Sequence, residues 1–299
     1  MTENAAGLQR KIKSAGDLQA VVRTMKALAA ANIGQYEKAV RSLGDYYRSV
    51  EMGLSVCLRR SALAEPTPEA AGAKARITGA VVFGSDQGLV GRFNDVVADF
   101  AIEKFSTLKK RPCVFAVGER AFSRLEDAGL TPVELFPVPG SVKSISPLIG
   151  QIVAAIETPP GCGAVTELYL FHNRPALGAA YAPVDQRLLP LDEEWRRALR
   201  KSPWPTTNLP EVIGGDAVLQ ELIREYLFVS LFRACAESLA SENASRLAAM
   251  QRADTNIDEM LVDLTAAYHR LRQSAIDEEL FDVTAGFEAL SSPATSGDR

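Results

Sequence analysis

Proline is nearly absent from both ends of this chain of 299 residues. Fifteen of the 16 prolines lie between Pro66 and Pro210, and residues 1–65 and 211–292 contain none. Because proline removes a backbone donor and breaks helices in their interior, its absence leaves both ends free to form long, uninterrupted helices. The middle of the chain, where the prolines lie, is expected to hold shorter elements joined by loops.

Metal-binding residue types are also scarce. The chain has two histidines and four cysteines, and Cys57, Cys113, Cys162 and Cys235 show no Cys-x-x-Cys spacing. The sequence therefore predicts no metal site. We interpret the four cysteines as buried thiols, with an occasional one at the surface.

Long apolar runs are missing as well. No run approaches the ~18 residues that a membrane-spanning helix needs. The first residues, Met1–Asn4, include neither a basic nor an apolar segment, so no secretory signal is visible, and no transit peptide rich in arginine and serine follows. These absences predict a cytoplasmic location.

Both ends do contain a heptad pattern, with apolar residues at alternating spacings of three and four. The first series is Ile33, Tyr36, Val40, Leu43, Tyr47, Val50, Leu54 and Cys57, and the second is Leu247, Met250, Ile257, Leu261, Leu264, Tyr268, Leu271 and Ala275. The polar Asp254 occupies one position of the second series. Such spacing is typical of helices that wrap around each other with a left-handed twist. The two ends are therefore predicted to pair with each other.

The two heptad segments carry opposite charge. Residues 1–60 have ten Lys/Arg against five Asp/Glu, residues 211–292 have six against fifteen, and residues 61–210 are balanced. Exposed ion pairs are worth only ~0.3–0.5 kcal/mol each, so this charge selects the pairing more than it stabilises it. A nucleic-acid site would need a basic stripe flanked by aromatic residues, which neither segment has.

Short apolar runs alternate with helical stretches in the middle of the chain. This alternation predicts a Rossmann-like α/β domain with a mostly parallel sheet. One predicted helix has Ser146 as its cap and Pro147 at its first position. The predicted strands are Arg76–Gly84, Cys113–Val117, Val133–Val138, Ala164–His172 and Tyr181–Leu191, and the predicted helices are Asn94–Leu108, Glu119–Ala128 and Ser146–Thr158.

These patterns divide the chain into an N-terminal coiled-coil helix, a central α/β domain, a C-terminal coiled-coil helix and a flexible tail. Their predicted bounds are residues 1–65, 76–210, 211–290 and 291–299. A linker is expected at Ala64–Ala75, an irregular stretch at Asp192–Pro210, and a helix cap at Asp216.

No catalytic or cofactor site can be assembled from the sequence. The glycine-rich turn Gly84–Gly91 follows a predicted strand but has neither the GxGxxG nor the GKS/T spacing, so we interpret Gly88 and Gly91 as residues of a tight turn. His172 is interpreted as a turn residue, His269 as a residue that is solvated or flanks the apolar seam, and Asp277–Glu279 as a solvated helix face. This lack of chemistry favours a mechanical or scaffolding role.

Three motifs, in order, resemble the γ subunits of F-type ATP synthases across the whole chain. They are Lys11–Ser14 with Thr24–Ala31, the turn Ser85–Asn94, and a C-terminal region that includes Ala240–Met250 and Arg270–Ile276. The sequence departs from the family pattern at Val90, Arg92, Asp277 and Phe287, and Asn32–Gln35 lacks the usual basic cluster. The pattern is more similar to the divergent γ subunits of alternate N-type bacterial ATPases than to a housekeeping subunit, and both subtypes remain open. Redox control is not expected, because the regulatory dithiol insertions of chloroplast subunits are missing.

The resemblance implies a central rotor shaft that couples transmembrane proton or sodium flow to ATP synthesis or hydrolysis. It also implies that the two terminal helices form a long antiparallel coiled coil, which enters the head. The implied partners are the α and β subunits of the catalytic head, the ε subunit and the ring of c subunits, so the chain would meet the membrane only indirectly, at the cytoplasmic face of the bacterial inner membrane. The residues assigned to the head are Met25, Asp86, Gln87, Gly88, Leu89, Gly91, Arg272 and Gln273, with Met25 opposite Arg272 and Gln273. Those assigned to the foot, near ε and the ring, are Lys201, Ser202, Pro203, Trp204 and Pro205.

Two other classes stay open at this stage. A coiled-coil scaffold or adaptor would share the long helices, although the alanine-rich stretch Ala27–Ala31 argues against it. A nucleotide-binding α/β enzyme with helical arms would need a phosphate loop, which Gly84–Gly91 does not supply.

Overall fold

The computed structural model describes residues 4–61, 77–108, 111–176, 179–204 and 215–291. The predicted linker, the tail after Ser291 and Pro205 lie outside these residues. In chain order the elements are α1 (Ala5–Ser61), β1 (Thr78–Phe83), α2 (Phe93–Ser106), β2 (Cys113–Val117), α3 (Glu119–Asp127), β3 (Glu134–Phe136), α4 (Val142–Glu157), β4 (Glu167–Ala176), β5 (Ala179–Leu189), α5 (Glu193–Lys201) and α6 (Asp216–Ser291).

The chain separates into two compact units, and the long helices α1 and α6 contribute to both. The smaller unit comprises Met1–Ala27 and Met250–Arg299, and the larger one Leu28–Ala249. No helix within the described ranges has a stretch long and apolar enough to span a membrane.

The two long helices run antiparallel within each unit. In the larger unit, Asn32 donates to Asn243 over 3.4 Å, and Gly53, further along α1, lies against Leu222, which is earlier on α6. A Cβ at Gly53 would lie 3.0 Å from Leu222, so the glycine permits close approach of the helices. The predicted antiparallel coiled coil is confirmed.

A five-stranded sheet forms the centre of the larger unit. The strand order is β3-β2-β1-β4-β5, with β5 antiparallel to β4 and every other pair parallel. The prediction of a mostly parallel sheet within an α/β fold is therefore confirmed.

Helices cover both faces of this sheet. On one face, α2 and α3 bury Val97, Phe105 and Leu125 against Val82 and Phe171. On the other, α4 and the facing parts of α1 and α6 form a larger core with members such as Leu54, Phe115, Ile149 and Val229. The terminal helices thus supply part of the core of the α/β unit as well as the coiled coil.

Three local predictions about where helices begin were wrong, because the residues that cap them were not recognised. Helix α4 begins at Val142, where Ser141 and Ser144 form a capping box, so Ser146 is not its cap and Pro147 lies inside the helix. Helix α5 occupies part of the stretch predicted to be irregular, since Asp192 caps it by accepting from the backbone N–H groups of Glu194 and Trp195. Asp216 is the first residue of α6 and not its cap.

The interpretation of all four cysteines as thiols was wrong for two of them. Cys113 at the start of β2 and Cys162 in the loop before β4 form a disulfide, with their Cα atoms 6.6 Å apart. Cys57 and Cys235 are buried thiols, as expected. The bonded pair is separated by 49 residues, so no local spacing pattern could have indicated it.

Candidate functional site

The glycine turn, residues 84–94, joins β1 to α2 and is held by its own polar side chains. Asp86 accepts from the backbone N–H groups of Glu119 at 3.0 Å and of Val138 at 2.8 Å. Asn94 accepts from the Ser85 N–H and donates to the Ser85 hydroxyl, both over 2.8 Å. The carboxylate of Asp86 therefore fixes the turn to the N-terminus of α3 and the end of β3.

Close packing and unusual backbone angles shape this turn. A Cβ at Gly84 would lie 2.3 Å from the Cβ of Ala121, so only glycine fits there. Leu89 and Gly91 both have left-handed backbones, with φ of 63° and 58°. The turn conformation predicted for Gly88 is adopted instead by Leu89. The Leu89 residue is 62% exposed. A bulky residue in this conformation is strained and occurs most often at functional positions.

Buried hydrogen bonds anchor the turn to α6. Ser245 donates its hydroxyl to the Val90 carbonyl over 2.6 Å. Asn173 donates to the Phe93 carbonyl over 2.9 Å, and the Asn173 carbonyl accepts from Ser241. These hydrogen bonds hold the turn against β4 and α6.

The structure does not place Met25 opposite Arg272 and Gln273. Lys26, the neighbour of Met25, contacts Asp254, whereas Arg272 lies 18 residues further along α6, about 27 Å at the rise of an α-helix. Met25 is half-buried, and Arg272 and Gln273 are exposed. Gln273 donates to Asp277 on its own helix over 3.1 Å.

The C-terminal part of α6 exposes large apolar side chains among acidic ones. Beyond Arg272 and Gln273, the acidic residues Asp277–Glu279 are solvated, as predicted. Large apolar side chains exposed close together on a helix are typical of a surface that binds a partner. The exposed apolar residues are Ile276, Leu280, Phe281, Val283 and Phe287.

The foot segment, residues 201–204, begins at the last residue of α5 and is tied to the end of α1. Arg59 donates to the Ser202 carbonyl. Lys201, Ser202 and Pro203 are exposed, and Trp204 is half-buried.

A buried charged network that sequence reasoning missed links β4 to α6. Glu237 accepts from His172 at 2.9 Å, Arg174 at 2.7 Å and Arg233 at 2.8 Å. His172 was interpreted as a turn residue, but it lies inside β4 and is 1% exposed. The packing of α6 against β4 brings these residues together across more than 60 residues of sequence, so no local sequence signal could have found them.

Burial and hydrogen bonding set opposite protonation preferences in this network. Burial lowers the pKa of His172 below its ordinary value, although Glu237 opposes the shift. Burial alone would raise the pKa of Glu237, but hydrogen bonds from His172, Arg233 and Arg174 overcome it and lower the pKa to about 2. The network therefore holds a neutral imidazole beside an ionised carboxylate.

A second buried acid, Glu242, lies in the motif that resembles the F-type γ subunits. Burial raises its pKa, and Arg246 opposes the shift through a hydrogen bond of 2.7 Å. Tyr36 of α1 lies near enough for the charge of Glu242 to raise its pKa in addition to burial. These contacts stabilise the junction of α1 and α6 in the larger unit.

Among the described residues, no group of three or more His, Cys, Asp or Glu side chains could hold a metal ion. The features that stand out among the described residues are a turn held by polar side chains, an exposed end of α6 and an exposed segment after α5. The fold defines a protein that pairs an antiparallel coiled coil with an α/β unit.

Comparison with known proteins identifies the family. A family model described as ATP synthase matches residues 4–290, so this chain belongs to that family. Curated relatives named ATP synthase gamma chain include that of Dechloromonas aromatica, 26% identical over 90% of this chain and 93% of the relative, and that of Parafrankia sp., 27% identical over 96% and 97%. The resemblance to a γ subunit drawn from the sequence is thereby confirmed.

Solved structures share the fold. A chain from the Tetrahymena thermophila mitochondrial ATP synthase central stalk and c-ring is 20% identical, with a TM-score of 0.54 over 78% of this chain and 99% of that one. A chain from the Euglena gracilis mitochondrial ATP synthase is 13% identical, with a TM-score of 0.60 over 99% and 98%.

Proposed function

We propose that this chain is the γ subunit, the central rotor shaft, of an F-type ATP synthase. It couples transmembrane proton or sodium flow to ATP synthesis or hydrolysis by turning inside the head of α and β subunits. A shaft that makes different contacts with successive β subunits favours a different conformation in each, which is a population shift driven by differential binding.

Family membership over residues 4–290 is the observation that carries this proposal. The described geometry supports it, because the chain offers long paired helices for transmitting torque. The nucleotide chemistry belongs to the head subunits, and this chain is non-catalytic.

The exposed end of α6 provides the contact with the head. Its apolar residues, including Phe281 and Phe287, fit an apolar lining, and Arg272 supplies a cation beside them. An arginine can make charge-assisted, bidentate bonds to a carboxylate of β. Met25 contacts the head at a separate level of the helix pair.

The glycine turn provides a second contact, facing an acidic loop of β. Because Asp86 binds the backbone of Glu119 and Val138, we assign it the role of positioning the turn. The contact itself falls on Gln87, Gly88, Leu89 and Gly91, whose exposed or half-buried positions leave them accessible.

The foot segment provides the third contact, with the ε subunit and the c ring. Lys201, Ser202 and Pro203 are exposed at the end of α5, and Pro205 completes the set drawn from the resemblance. In the assembled complex the chain is peripheral, at the cytoplasmic face of the bacterial inner membrane.

Replacing Arg272 and Gln273 by alanine tests the head contact. We expect the complex to assemble but to lose much of its ATP-driven ion pumping, since the exposed cation and amide are the groups we assign to the head. Within the chain, Gln273 donates only to Asp277, one turn further along its own exposed helix surface, among the described residues. The helicity of the purified chain should not change, because both side chains are exposed. Pumping is measured in membranes that carry the double variant, and helicity by circular dichroism.

Arg270→Ala is the matched control, since it removes an equal charge from an exposed position two residues away. It should pump like the wild type. Normal pumping by the double variant would remove Arg272 and Gln273 from the contact surface. Equal losses of pumping in both variants would show that the loss follows from removing a positive charge and not from a specific contact of Arg272.

A further inference from the structure

Leu89 is an exposed leucine in a backbone conformation that leucine disfavours. Its φ is 63°, in the left-handed region that glycine adopts readily and asparagine tolerates, and the residue is 62% exposed. A glycine at this position would adopt the same backbone without the clash of a Cβ atom. The leucine therefore gains little from packing within the chain, and its side chain makes the turn less favourable to form.

Contacts on both sides of Leu89 impose this conformation. Before it, Asp86 accepts from two backbone N–H groups, one at the start of α3 over 3.0 Å and one just after β3 over 2.8 Å. After it, Val90 is buried, and the Val90 carbonyl accepts from the Ser245 hydroxyl over 2.6 Å. The backbone is thus fixed at both ends of the turn, and it holds the leucine side chain out in solvent.

The neighbours of Leu89 in the turn leave it as a single apolar projection. Gly88 and Gly91 have no side chains, and Val90 is only 2% exposed. No residue from Gln87 to Gly91 carries a charge, and the first cation along the chain is the exposed Arg92. The turn therefore presents one leucine with a positive charge beside it, which is complementary to an apolar recess with an acidic rim.

We propose that Leu89 is an apolar anchor that inserts into a recess of this kind on the β subunit. An aliphatic side chain that fills a pocket at the centre of an interface contributes binding energy by leaving water. Because the turn is fixed before it meets its partner, little conformational entropy is lost on binding. The identity of the partner rests on the proposed function, whereas the apolar character of its recess follows from the turn itself.

Two substitutions separate binding by Leu89 from the stability of the turn. Leu89→Gly removes the side chain, and Leu89→Asn replaces it with a polar one that tolerates a left-handed backbone. In the purified full-length chain, both variants should melt at or above the temperature of the wild type, because each relieves backbone strain and neither removes a buried side chain. In the assembled complex, both variants should lose most of their ATP-driven ion pumping.

Leu135→Asn is the matched control, because Leu135 is an exposed leucine on β3 that lies outside the turn. It should pump like the wild type. The contact itself is measured with Leu89→Cys, since the native cysteines of this chain are buried or disulfide-bonded. Alkylation of the introduced thiol by a maleimide, followed on this chain by mass spectrometry, should slow several-fold when the chain is assembled with α and β subunits.

Wild-type pumping by both Leu89→Gly and Leu89→Asn would overturn the proposal, and so would an alkylation rate that assembly leaves unchanged. Lower melting temperatures in both variants would also overturn it, because Leu89 would then stabilise the turn from within the chain. Failure of the proposed function gives a different result, a wild-type complex that assembles but does not pump on addition of ATP. Protection of the introduced thiol would still show, in that case, whether a partner covers this position.

Discussion

Glu237 is a buried acid that three donors keep ionised. Its partners His172 and Arg174 come from β4, and Arg233 comes from its own helix. The network therefore joins the sheet to α6 through charge as well as through apolar packing. The contribution of this network to stability changes with pH, and the pKa shifts of His172 and Glu237 determine the direction of the change.

Acidification should destabilise the chain in two stages. His172 has a lowered folded pKa, so the unfolded chain binds the extra proton first, and stability falls as the pH drops below the ordinary histidine value of 6.5. Glu237 is ionised in the folded state down to about pH 2, so its contribution is full above 4.5 and is lost as the pH falls from there towards 2. Urea unfolding between pH 8 and pH 3 measures both stages. Stability that is constant between pH 7 and pH 5 would contradict the assignment of a buried, neutral His172.

The same network predicts the effect of Glu237→Gln. Removing the acid leaves Arg174 and Arg233 without their common partner, and we expect a loss of about 2 kcal/mol, below the usual range for buried pairs because both arginines are half exposed. Glu157→Gln is the control, since its pair with Arg224 is exposed and contributes little. Equal stability of the two variants at pH 7 would show that the network does not stabilise the fold.

Individual contacts were the least predictable part of the molecule. His172 and Glu237 are 65 residues apart, and nothing in the local sequence distinguishes a buried strand histidine from one in a turn. The expectation that Met25 lies opposite Arg272 failed for a related reason, because it needs the register of α1 against α6. Asp254 did stand out in the sequence as a polar seam residue, but its contact with Lys26 depends on that register.

At the scale of elements, the long helices and the sheet followed from sequence pattern. The absence of proline and the heptad spacing predicted α1 and α6, and alternating runs predicted the strands. Errors arose where one polar residue decides a boundary, as Ser141 does for α4 and Asp192 does for α5. Periodicity cannot resolve such boundaries, because several serines and aspartates are chemically able to cap.

The disulfide stabilises the link between two elements of the sheet. Cys113 and Cys162 link β2 to the loop before β4 and close a loop of 49 residues. Restricting the unfolded chain in this way is worth about 2–4 kcal/mol. We expect dithiothreitol to lower the melting temperature of the wild type by several degrees and to leave that of the double variant Cys113→Ser, Cys162→Ser unchanged.

Counting thiols checks the pairing independently of stability. The wild type, purified without reductant and then denatured, should show two free thiols, those of Cys57 and Cys235. Four free thiols would show that the bond does not form in the purified chain.

At the scale of the whole molecule, the combination of paired helices and an α/β unit matters more than any single site. Motifs at both ends and at the glycine turn were enough to indicate the family from the sequence, and the match over residues 4–290 confirms it. The sequence motifs could not establish how the three proposed contact surfaces act together. That requires the assembled complex.

Single-molecule rotation tests the shaft role most directly. A bead is attached through Glu126→Cys, an exposed position on α3, and the α and β subunits of the assembled head are fixed to a surface. On addition of ATP we expect the bead to turn in one direction in discrete steps, while the isolated chain hydrolyses no ATP. The account would be contradicted if the complete complex hydrolysed ATP while the bead stayed still or moved without a preferred direction.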